Sequence, residues 1–105
     1  MALLNFKKRD AKAPQPVNPQ IEALLQGYSI EVMPRTAAKV ENFRDLLPEG
    51  TRVYIAHIEG TPIDDMVATA KRLAADGYPV MPHFPARIIR DKATLGDWIA
   101  RYQGE

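Results

Sequence analysis

The chain has 105 residues, with fourteen Lys and Arg against thirteen Asp and Glu, a net charge of +1, and no cysteine. That length allows one domain with a modest core. The balanced charge argues against a nucleic-acid footprint, and the lack of thiols excludes disulfide scaffolding, thiol catalysis and thiolate metal sites. Residues 1–17 hold Lys7, Lys8, Arg9, Lys12, Pro14 and Pro16 with little apolar periodicity, which predicts a mobile tail ahead of a domain over 18–105. No apolar run approaches the roughly 20 residues that span a bilayer. The opening Met1-Ala2-Leu3-Leu4-Asn5-Phe6 is too short for a signal-peptide core and precedes its basic residues. A cytoplasmic protein without membrane contact is expected.

A short helix opens the domain, with Asn18 as its cap, Pro19 in its first turn, Ile21, Leu24 and Leu25 on one face, and Gly27 at its close. From Tyr28 the pattern turns to period two. Tyr28, Ile30 and Val32 point one way and Ser29, Glu31 and Met33 the other, until Pro34 ends the strand. A helix is predicted from about Thr36, where Val40, Phe43 and Leu47 have the spacing of a buried stripe, up to Pro48-Glu49-Gly50. A second strand spans Arg52 to Ile58. Thr61 then caps a helix that carries Asp64 and Asp65 in its first turn, buries Ile63, Met66, Val67, Ala70 and Leu73, and closes at Gly77. A third strand, about Tyr78 to His83, is shortened by Pro79 and Pro82. Asp91 caps a last helix with a buried stripe of Leu95, Trp98, Ile99 and Tyr102.

Three strand-helix units in alternation, joined by right-handed crossovers, give an α/β fold with a parallel sheet. Two architectures fit, a small open sheet or the first part of an eight-stranded barrel, which typically needs about 250 residues. In a doubly wound sheet both strand faces are apolar, whereas inward barrel positions near the top can be polar. Ser29 and Glu31 on one face therefore favour a partial (βα)8 TIM-type barrel. Glu31 and His83 both fall near strand C-terminal ends, where such folds carry their chemistry.

The run Ser29-Ile30-Glu31-Val32-Met33-Pro34-Arg35-Thr36 resembles the first strand of the methylenetetrahydrofolate reductase family, an apolar strand bearing one glutamate and ending in proline. Pro82-His83-Phe84 is similar to the family's third strand, which ends in a proline-histidine pair beside the flavin. The resemblance covers about Tyr28 to Glu105, roughly the first third of the family's barrel. It implies FAD as cofactor, NAD(P)H as hydride donor and reduction of methylenetetrahydrofolate to methyltetrahydrofolate. Glu31 matches the general acid that protonates the departing ring nitrogen so that the folate ring opens to an iminium, and apolar neighbours such as Met33 favour a protonated carboxyl. His83 matches the histidine against the flavin, and Ala56, flanked by His57, falls where the family's second strand carries a hydroxyl near it. Arg35 and Arg87 follow the first and third strands and are candidates for a phosphate or folate carboxylate. The chain departs from the pattern at Arg35, where the family has a second proline, and at Phe84-Pro85, near where it has a threonine.

Simpler readings stand beside these. A strand glutamate is commonly solvated, a lone histidine is commonly structural, His57 most of all, and His57, His83 and Glu31 lack the spacing of a metal site. Three parallel strands leave open edges and an inner face, so self-association or dependence on further barrel strands is expected. The alternative to a reductase segment is a non-enzymatic α/β module that binds a ligand or partner through the face of Ser29 and Glu31.

Overall fold

A computed structural model describes residues 14–104; most of the expected tail lies outside the described residues. Strands β1 (Ser29–Val32), β2 (Arg52–Ile55) and β3 (Val80–Pro82) form one parallel sheet in the order β1-β2-β3. Ile30 aligns with Val53, which aligns with Val80, and Val32 with Ile55 and Pro82. Ile30, Val32, Val53, Ile55 and Val80 pack with Ala37, Phe43, Met66, Ala70, Leu73 and Tyr78, and Val53, Ile55, Met66 and Leu73 are fully buried. The alternating residues Ser29, Glu31, Arg52, Tyr54 and Met81 are exposed on the opposite face. Helices thus cover one side of the sheet and leave the other bare.

The strands are shorter than their sequence pattern. β2 ends at Ile55 rather than Ile58, and β3 shrinks to Val80–Pro82. The ladder nonetheless reaches past β3 at both ends, because Val53 N donates to Pro79 O and His83 N to Ile55 O, each at 2.9 Å. Residues 79 and 83 therefore turn their backbone groups toward β2, and Pro82, with no N–H to give, faces the open edge.

Helix α1 (Pro19–Leu25) starts as its sequence dictates, with the Asn18 side chain accepting from Gln20 N at 2.9 Å. Its apolar stripe finds no core, however: Ile21, Leu24 and Leu25 are all exposed. Helix α3 (Ile63–Ala75) buries Met66, Val67, Ala70 and Leu73. Its N-cap is Pro62, which makes no side-chain cap bond, so Thr61 is not the cap. At its other end Gly77 takes φ +89°, which lets Gly77 N reach Ala74 O and Tyr78 N reach Leu73 O. Helix α4 (Lys92–Gln103) is capped by Asp91, whose carboxylate accepts from Thr94 N at 2.7 Å. Its expected buried stripe is only half covered, with Ile99 exposed. Arg101 bridges Asp97 at 2.9 Å and Asp64 at 2.6 Å, joining α4 to the first turn of α3.

The stretch predicted as one long helix from Thr36 differs most. It forms a short helix α2 (Pro34–Ala37) and a separate 3-10 turn (Phe43–Asp45) begun by Asn42, whose side chain accepts from Arg44 N. Phe43 is buried and Val40 and Leu47 pack beside it, so the residues expected inward do turn inward. What fails is the helical hydrogen bonding, and Arg72 of α3 is the reason. Its guanidinium donates to the carbonyls of Ala37 (2.8 Å), Val40 and Glu41 (3.2 Å), and lies 5.0 Å from the centroid of the Phe43 ring. The Val40 and Glu41 carbonyls are served by a planar fork from a neighbouring helix in place of amides of their own, while Ala37 O also accepts from Val40 N at 3.1 Å. Tyr78 adds a second tie by donating from its hydroxyl to Leu47 O at 3.1 Å.

Arg72→Lys keeps the charge but cannot span three carbonyls. It should destabilise the chain by about 1–3 kcal/mol, seen as a lower urea midpoint with unchanged slope. An unmoved midpoint would show that the tether contributes nothing.

Candidate functional site

The bare face of the sheet is a small grid. Ser29 aligns with Arg52, and Glu31 with Tyr54 and Met81 in the next row. Continuing the register by one residue places Met33, Ala56 and His83 in the row at the C-terminal ends of the strands, a continuation held by Ala56 N donating to Val32 O (2.8 Å) and His83 N to Ile55 O. Glu31 and His83 are therefore on the same face, with Tyr54, Met81, Met33 and Ala56 between and around them. Glu31 and His83 are both exposed.

Tyr54, Met81 and Met33 were not singled out from the sequence as site residues. The signal was present, since parity along β2 and β3 puts Tyr54 and Met81 on the face of Glu31 once the strands are aligned. What the sequence lacks is the register between strands, which only the packed helices impose.

His57 belongs elsewhere. It follows the parity of Val53 and Ile55, is buried at 5% exposure, and its ring lies 4.9 Å from that of Trp98 on α4. Its Nε2 pairs with Thr61 O at 3.0 Å, while Nδ1 is buried without a partner. The ring of His57 is thus held on the helical side of the sheet, away from the face of Glu31 and His83. Phe84 also falls there, 5.5 Å from Tyr102 and 6.4 Å from Trp98. This aromatic cluster fixes the chain just after His83 and so helps to aim that imidazole.

Arg35 lies in α2 and lines a groove of about 700 Å³ with Met33, Ile58, Thr61 and Asp65, at the C-terminal ends of β1 and β2. Arg87 is exposed on a 3-10 turn (Ala86–Ile88) beyond β3. The two arginines therefore flank the upper edge of the grid without entering it. Among the described residues no group of three or more His, Asp or Glu side chains is placed to hold a metal ion.

The chain matches no protein-family model.

The aromatic cluster carries a pH signature. Burial pushes the Tyr102 hydroxyl up to about 12, and its oxygen has no hydrogen-bond partner. Folding thus favours the neutral phenol, so this stabilisation is complete below the ordinary tyrosine value of 10.0 and is lost as pH rises toward 12. Ultraviolet titration should show a late tyrosine phase, and Tyr102→Phe should remove it. A late phase that survives the substitution would assign it to another tyrosine.

Proposed function

We propose that the bare face is part of the cofactor- and substrate-facing wall of a flavin-dependent reductase similar to methylenetetrahydrofolate reductase, with the sheet as the opening strands of a (βα)8 barrel. One observation carries this reading. A carboxylate from the first strand and an imidazole from the third share the only sheet face that helices leave open among the described residues, at the strand ends where parallel barrels work. The runs that bear them are the two that resemble the family.

The residues present fit a flavin. A flat heteroaromatic ring needs an apolar bed with polar groups at its edge, and the exposed Tyr54 and Met81 offer the bed while His83 and Glu31 stand at its sides. FAD, when bound, supplies the store through which hydride passes from NAD(P)H to the folate. His83 would hold the ring edge by hydrogen bonding, and Ala56 leaves room beside it. Glu31 donates the proton that the folate nitrogen needs as the five-membered ring opens. Covering the face with a planar ring removes water from the carboxyl and so favours its neutral, proton-donating form. Arg35 and Arg87, above the grid, suit the folate carboxylates. Further strands, from more chain or from an associated copy, complete the enclosure.

The test is flavin retention followed by half-reactions. The purified chain, alone and joined to the remaining strands of such a barrel, should retain FAD and bleach with NADH or NADPH. Glu31→Gln should leave the bleaching intact and slow reoxidation by methylenetetrahydrofolate by on the order of 10²–10⁴-fold. His83→Ala should weaken FAD retention roughly tenfold. If neither form retains flavin, the reductase reading fails, and a non-enzymatic module that binds a partner through the same face takes its place.

A further inference from the structure

We infer that Met33 and Met81 are peroxide-sensitive sulfurs whose oxidation switches the Glu31–His83 face from apolar to polar. The chain has no cysteine, so its oxidisable sulfur is confined to four methionines. Three of these lie among the described residues, and the fold divides them sharply. Met66 is 0% exposed in the core, whereas Met33 is 37% and Met81 46% exposed. Met81 belongs to the bare face as the register partner of Tyr54, two residues before His83, and Met33, the N-cap of α2, continues the parity of Glu31 one residue past the end of β1 and borders the Arg35 groove. In the grid they stand at the two corners that flank the diagonal from the carboxylate to the imidazole.

The chemistry is a simple oxygen transfer. A sulfur lone pair attacks one oxygen of hydrogen peroxide, the S–O bond forms as the O–O bond breaks, and the second oxygen leaves as water. The thioether is oxidised by two electrons and the peroxide is reduced by two. A flexible apolar side chain becomes a strong dipole, which a reductase for methionine sulfoxide can reverse. The inference rests on the reductase reading for its peroxide source alone: dioxygen that takes two electrons and two protons from a reduced flavin leaves as hydrogen peroxide. A sulfoxide at either position wets the bed on which a planar ring would lie, so the face would shut down when its own side reaction runs.

The experiment is a peroxide pulse on the full chain, quenched with catalase and read by peptide mass. Met33 and Met81 should each gain one oxygen at least about tenfold faster than Met66, and the oxidised chain should retain FAD several-fold less well. The Met33→Leu, Met81→Leu chain should keep its retention through the same pulse, and sulfoxide reductase should restore that of the natural sequence. Met66 oxidising in step with the others would overturn the inference, as would oxidation of both exposed sulfurs with no loss of binding. A chain that takes up no FAD before treatment defeats the reductase reading instead. The switch is then read with anilinonaphthalene sulfonate, whose fluorescence on the chain should fall after the pulse in the natural sequence and hold in the leucine variant; equal signals in the two would overturn it.

Discussion

A parallel sheet is ordinarily buried on both faces, because its crossover helices lie on each side or its strands close on themselves. Here the helical layer lies on one side. Val53 and Ile55 are sealed beneath α3, while Tyr54, between them in sequence, is 36% exposed. This one-sided covering governs the rest of the structure. It gathers the apolar residues of all three strands into one core, and it turns the polar and soft residues of the same strands toward a shared open surface. Glu31 and His83 are exposed there, on the face that the helical layer leaves uncovered.

The covered side is held by few but well-placed polar ties. Arg72 reaches from α3 to three carbonyls of the 37–41 segment and lies against Phe43, and Tyr78 bonds Leu47 O nearby. These contacts let the connection between β1 and β2 abandon regular helix without leaving carbonyls unpaired. They also fix the helical layer over β1 and β2, and hence the register that sets Glu31 beside Tyr54. Toward β3 on the same covered side, His57, Trp98, Phe84 and Tyr102 form an aromatic cluster that anchors the chain leaving β3. Stability and site geometry are therefore coupled: the helical layer orders the strands, and the strands order the open face.

On that face, acid, base and soft apolar groups meet in a small area. A carboxylate in water is a poor proton donor near neutrality, and the grid becomes chemically apt only when a ligand or further strands exclude solvent. The same exposure that leaves room for a planar ring also leaves two thioethers open to oxidants.

Much of this was legible in the residues. Alternation in Ser29–Val32 and Arg52–Ile55, the Asn18 and Asp91 caps, the acidic first turn of α3 and the turn at Gly77 are local effects, set by side-chain period and short-range hydrogen bonding, and all are present in the fold. The inward positions of Val40, Phe43 and Leu47 were legible too, since hydrophobicity dictates burial whatever the backbone does. The break in their helix was not, because it depends on Arg72, some thirty residues away in sequence. Nor was the split between His57 and His83, which one strand-end parity and the ring of Trp98 decide. The sequence by itself determined which residues are apolar, the Asn18 and Asp91 caps and that the strands alternate. Only the tertiary structure decided which face stays bare and which side chains become neighbours there, because register and covering arise from contacts between elements that no local pattern encodes.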